Sequence, residues 1–154
     1  MSELQVTTAD CDIAVIGGGV AGLHAIKAAA KIKGLQVTAV IANPFIEFSM
    51  GAAEFLCDHK RHSDYIMGRP ESWQVKGVGY IFEPSPEIDP AAKTLKFASG
   101  RLTYRAVIVC TGSRMPLIMP QPGDSAAARV AEVKKVSDAI GAAQTVVFNG
   151  SGTI

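Results

Sequence analysis

The feature that most constrains this chain is the run Asp12-Ile13-Ala14-Val15-Ile16-Gly17-Gly18-Gly19-Val20-Ala21-Gly22. Four apolar residues in succession predict a strand buried on both faces, as in a parallel sheet. They lead directly into Gly17-x-Gly19-x-x-Gly22, and a helical pattern follows without a gap. Each glycine answers a separate steric demand. Gly17 permits a tight turn, Gly19 leaves the backbone bare for the approach of a pyrophosphate, and Gly22 lets the helix pack closely on the strand. The helix N-terminus, opening with Val20 and Ala21, then offers free N–H groups and a partial positive charge to an anion. Strand, glycine turn and helix in that order are the context a dinucleotide-binding turn requires.

The bulk properties narrow the class further. A length of 154 residues with 48% hydrophobic side chains suits one domain with a sizeable core. The formal net charge is +1, which gives no electrostatic reason to expect nucleic acid as a partner. No apolar run approaches the ~18 residues that a membrane span needs. Residues 1–10 are polar, lack the apolar stretch of a signal peptide and predict a flexible leader. Cys11, Cys57 and Cys110 are scattered, with no C-x-x-C pair, so reduced thiols and an intracellular, cytoplasmic setting are expected. Cys110, in an apolar stretch, is expected to serve packing.

Taken in order, residues 11–16 predict the first strand and Val20 to Lys33 a helix stopped by Gly34. Leu35 to Ala42 predicts the second strand, ended by Asn43-Pro44. Ser49 is placed to cap a short helix through Met50 to Cys57, and the polar stretch after it predicts irregular chain. Three further segments, around Gly79 to Phe82, Thr94 to Phe97 and Leu102 to Tyr104, predict a small antiparallel meander, with a turn at residues 87–92 and another at Ser99-Gly100. Ala106 to Cys110 predicts a separate, central parallel strand followed by Thr111-Gly112. Residues 115–125, rich in Pro and Gly, predict a linker, and Ala126 to Ile140 an amphipathic helix with Val130, Val133, Val136 and Ile140 on its apolar face. Thr145 to Phe148 predicts one more strand, and Gly150-x-Gly152 after it begins a second glycine motif that stops before its third glycine. A strand without a crossover helix to cover it predicts that the chain is truncated, the first part of a longer design.

These ordered elements carry a family resemblance. A strand with GGGVAG, a meander ending in LTYRAVIVCTGSRMP, a linker helix and TVVFNGSG together resemble the FAD-binding part of the pyridine nucleotide–disulfide oxidoreductase superfamily, over roughly residues 11–154. The segment VTAVIANPFIEF is similar to the matching stretch of type II NADH dehydrogenases and apoptosis-inducing-factor-like NADH:quinone oxidoreductases. The disulfide reductases of the superfamily carry a Cys pair where this chain has only Cys57, so dithiol chemistry is not implied. The resemblance implies a three-layer, Rossmann-like α/β fold with a parallel sheet, flanking helices and an antiparallel meander. It divides the chain into an FAD-binding domain at 11–125, a connecting helix at 126–144 and the start of a second nucleotide-binding domain at 145–154. It implies FAD as cofactor, NAD(P)H as co-substrate of the full-length design, and an acceptor such as a quinone. By the same resemblance Gly17, Gly19, Val20, Ala21 and Gly22 would surround the FAD pyrophosphate, Thr111 and Gly112 would close over it, and Ser85 would meet the adenine through its backbone N–H.

One departure from the pattern matters. The fingerprint places an acidic residue at the end of the second strand to hold the ribose hydroxyls. The matching position here is Ile41, and only Asn43 nearby could act as a partial substitute. Losing a charge-assisted hydrogen bond is expected to weaken FAD binding by about 1.5–3 kcal/mol. Glu47 is a further candidate for the ribose and as readily a structural residue. Cys57-x-His59-x-x-His62 has no fourth ligand and is read as a solvated loop, so no metal is expected. His24 is expected on the surface and Trp73 in packing. No nucleophile arrangement stands out, and no catalytic acid or base is named. Two rival classes remain: a non-catalytic or degenerate nucleotide-binding module working by self-association, and a simple NAD(P)-only reductase, against which the meander and the Thr-Gly element argue.

Overall fold

The computed structural model describes residues 8–48, 51–61, 66–67, 73–84, 86–113 and 119–147. Its first element, β1 (Ala9–Ile16), carries the apolar run and turns at the glycines into α1 (Val20–Ala29). The helix stops four residues short of Lys33. Beyond Ala29 the chain tightens into i→i+3 hydrogen bonds, Lys31 N–H to Ala28 and Ile32 N–H to Ala29, which shed the polar end of the predicted helix into a turn at Gly34. β2 (Val37–Ile41) returns parallel to β1, with all five residues buried. Below the glycines, Asp12 fastens three elements. One carboxylate oxygen accepts the Gln36 N–H at 2.8 Å and the other accepts Arg105 Nη1 at 2.9 Å.

After β2 come β3 (Ile46–Glu47), α2 (Ala52–Cys57), a single 3-10 turn at His59–Arg61, and β4 (Ile66–Met67), which pairs antiparallel with β3. Ser49, the expected cap of α2, lies outside the described residues; the residue at the cap position is Gly51. β5 (Val78–Phe82) corrects the sequence expectation. It is not part of the meander but pairs parallel with β2 at one edge of the sheet. Trp73 is buried against it, its ring 5.5 Å from Tyr80 and edge-on, and the Tyr80 hydroxyl accepts the Val75 N–H.

The meander is built from β6 (Glu87–Asp89), β7 (Thr94–Phe97) and the start of β8 (Gly100–Val109). Glu87–Asp89, expected in a turn, is therefore a strand, and the turn follows it. The two strands expected at 102–104 and 106–110 are one strand of ten residues. Its first half pairs with β7 antiparallel, while all of it from Leu102 runs parallel to β1. Local pattern suggested a break because Arg105 interrupts the apolar run; the β1 ladder carries the strand straight through it. The six-stranded sheet has the order β5-β2-β1-β8-β7-β6. Alternate residues of β1 face opposite sides. Val15 packs with Ile26 and Ala29 of α1, while Ala14 and Ile16 pack with Val40, Ile81, Leu95, Leu102 and Tyr104.

α3 (Ala126–Ala142) begins at Ser125, whose hydroxyl accepts the Ala128 N–H. Its buried face is Arg129, Val133 and Ser137; of the predicted stripe Val133 is buried and Val136 half-buried, while Val130 and Ile140 are exposed. Residues 145–147 form no strand, and Val147 is 85% exposed. Among the described residues no strand lies beside this apolar segment to pair with its N–H and C=O groups. Phe148 and the second glycine motif lie outside the described residues. Among the described residues no helix is long and apolar enough to cross a membrane.

The Asp12 clip has a pH consequence. The Gln36 N–H, and after it Arg105, hold the Asp12 carboxyl below its ordinary range. A carboxyl depressed in the folded state stabilises the fold above its ordinary pKa, and that contribution is lost as pH falls from about 4 through the folded value. Replacing Asp12 with Asn should therefore flatten the acid limb of a plot of urea midpoint against pH. Parallel limbs for variant and parent would contradict this role.

Candidate functional site: the glycine turn at the switch point of the sheet

β1 has β2 on one side, reached through α1, and β8 on the other. From β1 the chain moves to β2 and β5 on one side and later returns to β8 on the other, so the strand order reverses at the carboxyl ends of β1 and β8. In open α/β sheets this switch point is where ligands bind. Gly17 to Gly19 stand at the end of β1, and Cys110, Thr111 and Gly112 stand at the end of β8.

The three fingerprint glycines separate by what surrounds them. Gly17 has φ +115°, a region that L side chains rarely adopt, and a β-carbon there would lie 2.2 Å from the Cys110 carbonyl oxygen and 3.1 Å from the Thr111 nitrogen. A β-carbon on Gly22 would lie 2.0 Å from the Gly17 carbonyl oxygen. These two positions are closed by the protein's own backbone. Gly19 is the opposite case: a β-carbon there would meet nothing within 4 Å. Gly19 caps α1 without any side-chain hydrogen bond, and the first turn of α1 holds no acidic residue. An anion approaching Gly19 thus meets bare backbone, N–H groups without a side-chain cap and no acidic side chain on the first turn of α1. Val20 and Ala21 form that first turn and are exposed. A shallow cleft of about 190 Å³ runs from it along α1 to β3, lined by Val20, Leu23, His24, Lys27, Ile46, Glu47 and Phe48.

The structure also brings together residues that the sequence pattern did not connect. Ile41 is 3% exposed, and its Cγ2 lies 2.6 Å from where a β-carbon on Gly18 would stand. The middle glycine is thereby matched to the isoleucine that replaces the acid. Asn43 is buried and turned to the linker. Its Oδ1 accepts the Gly123 N–H at 2.8 Å and its Nδ2 donates to the Gln121 carbonyl at 3.1 Å. Its amide is thus committed to chain and not held open as a substitute for the acid. Asp124 completes the linker turn by accepting the Gln121 N–H. Glu47 is likewise committed: Arg129 Nε and Nη2 donate to its two oxygens at 2.7 and 2.9 Å, and Nη1 reaches Glu132 at 3.0 Å. The side chains of Arg129 and Glu47 are each 1% exposed. Nothing in the helix pattern marked Arg129 as a core position; the one signal was an acid, Glu47, inside the apolar run Phe45-Ile46-Glu47-Phe48.

Thr111 lies beside Gly17, and Thr111 and Gly112 are both exposed beyond the end of β8, with Gly112 at φ +70°. Ser85 lies outside the described residues. Cys110 follows β8 instead of lying within it; it is half-buried and its carbonyl supports Gly17. Cys57 is exposed, His59 comes within 4.0 Å of Asp138, and His62 lies outside the described residues. Among the described residues no cluster of three His, Cys, Asp or Glu side chains could hold a metal.

A strand–glycine turn–helix unit at the switch point, with a Thr-Gly corner from the neighbouring strand beside it and a meander behind, defines a Rossmann-like α/β domain. The comparisons with known proteins agree: the family model for pyridine nucleotide-disulphide oxidoreductase matches residues 11–154, and the chain belongs to that family. No curated protein sequence matches it. Among solved structures it is similar to NADH:rubredoxin oxidoreductase from Clostridium acetobutylicum, at 23% identity and a TM-score of 0.54, over 70% of this chain and 30% of that one. It is also similar to the sulfide:quinone oxidoreductase of the hyperthermophilic bacterium Aquifex aeolicus, at 20% identity and a TM-score of 0.61, over 88% of this chain and 33% of that one. At these identities the likeness establishes the fold, and the chain spans about a third of the length of either structure.

Proposed function

We propose that the glycine turn holds the pyrophosphate of FAD, and that this chain is the FAD-binding portion of a flavin-dependent NAD(P)H oxidoreductase. The observation that carries the reading is the contrast at the turn. Gly17 and Gly22 are closed by backbone, Gly17 by Cys110 and Thr111 at the end of β8, while Gly19 is open and carries no side-chain cap at the head of α1. The family match supports the flavin. When bound, the flavin supplies the redox chemistry, accepting a hydride from NAD(P)H and passing electrons to an acceptor such as a quinone. The chain's own residues bind and orient. The Gly19 backbone and the α1 N-terminus face the phosphates, the Thr111–Gly112 corner closes over them, and the cleft along α1 offers apolar contact. The phosphate end fits the cofactor. The ribose end does not supply the expected carboxylate.

Equilibrium dialysis of the protein against FAD, with flavin absorbance read on both sides, tests the reading. Enrichment on the protein side supports it, and equal concentrations at high protein would sink it. A second reading, a nucleotide-binding module that works by self-association, is favoured by the exposed Ile108, Val109 and Val147. A clean monomer on size-exclusion chromatography would count against that second reading.

A further inference from the structure

We infer that this site reads its nucleotide through the diphosphate and is indifferent to the ribose 2′,3′-diol, with Ile41 as the residue that sets this specificity. The inference rests on the nucleotide reading above and deepens it. In the dinucleotide fold the diol is held by an acceptor at the end of the second strand, which here is β2. Ile41 occupies that place, and its side chain lies on the Gly18 backbone, so the position is filled by hydrocarbon and not merely lacking a charge. Among the described residues, the hydrogen-bonding side chains between it and α2 are committed elsewhere. Asn43 has both amide atoms on Gln121 and Gly123, and Glu47 has both oxygens on Arg129. Releasing Asn43 would leave the Gly123 N–H and the Gln121 carbonyl without it. Releasing Glu47 would strip Arg129 of a buried partner. Neither is a ready donor of an acceptor oxygen to a ribose.

A site that holds the diol through a carboxylate loses about ten- to a hundredfold in affinity when the hydroxyls are removed. This site has no such contact to lose. The ligand class is therefore adenine nucleotides carrying a 5′-diphosphate, with or without the ribose hydroxyls.

The experiment is a calorimetric titration of the full chain with ADP, with 2′,3′-dideoxyadenosine diphosphate and with FAD. The expected result is that ADP and its dideoxy analogue bind within about twofold of each other. ADP binding at least tenfold tighter than the analogue would overturn the inference while leaving the nucleotide site standing. No binding of ADP or FAD would overturn both. Ile41→Asp should create a preference for ADP of about tenfold or more. Because Ile41 is buried, the β-branched Ile41→Thr serves as a second variant, expected to shift the ratio in the same direction by a smaller factor. A folded Ile41→Asp protein, checked by circular dichroism, with the parental ratio would remove Ile41 from the role.

Discussion

Replacing Gly17 with alanine is expected to destabilise the fold by about 3–5 kcal/mol, from backbone strain and overpacking together. The backbone at Gly17 is at φ +115°, and the added methyl would lie 2.2 Å from the Cys110 carbonyl oxygen, which has no flexible end to move aside. That loss is a large share of the 5–15 kcal/mol that typically holds a domain together, so the variant should unfold at markedly lower urea. Gly19→Ala should behave in the opposite way. Its β-carbon meets nothing within 4 Å, so stability should fall by less than about 1 kcal/mol, mostly from a poorer helix cap. On the proposed reading the same methyl stands where the diphosphate approaches the backbone, and nucleotide affinity should drop at least about tenfold, equivalent to about 1.4 kcal/mol. The pair separates a structural glycine from a ligand-facing one within a single turn. Equal stability loss in both variants would show that the turn has only a packing role.

The second large effect concerns the clamp on α3. Glu47→Ala leaves the Arg129 guanidinium buried and, among the described residues, with Glu132 as the carboxylate still in hydrogen-bond contact. Removing one partner of a buried ion pair typically costs about 3–5 kcal/mol, because the stranded charge keeps its desolvation penalty. Glu132 is partly exposed and should moderate the loss toward the lower end. Removing both charges, as in Glu47→Leu with Arg129→Met, should recover at least about half of the single-variant loss, since an apolar pair needs no solvation. Chemical denaturation of the four proteins of this cycle measures the coupling directly. A single variant within about 1 kcal/mol of the parent would mean that the pair is not holding the helix. The clamp ties the first turns of α3 to β3, and Asn43 ties the linker before α3 to the exit of β2.

The site's centre was legible in the sequence because its causes are local. Gly17, Gly19 and Gly22 are spaced by the geometry of one turn and one helical start, and the apolar run before them admits little but a buried strand. The Thr111–Gly112 corner was legible as a strand end followed by a turn, and its place beside Gly17 came from the family resemblance. What the sequence left hidden depends on partners distant along the chain. β5 is an antiparallel candidate by pattern and a parallel edge strand in fact, because its partner is β2, 41 residues earlier (Val37 beside Val78). β8 is one strand because the β1 ladder bridges Arg105. Arg129 is buried because Glu47 meets it across 82 residues, a pairing that no periodicity can reveal. Asn43 looked available for a ribose and is instead spent on a linker about 80 residues downstream. The missing acid at Ile41 was visible from the start. That the isoleucine packs on Gly18, and so closes the position, was not.

The central claim is that the open turn at Gly19 is the phosphate end of an FAD site. The most direct test is a titration of fixed FAD with the full chain, followed by flavin fluorescence, in the parent and in Gly19→Asp. This substitution meets no neighbour within 4 Å in the fold and places a negative charge at the α1 N-terminus, where the phosphates would lie. Saturable binding by the parent, weakened at least about tenfold in a Gly19→Asp protein of unchanged stability, is the predicted result. FAD bound equally by both proteins, or by neither, would contradict it.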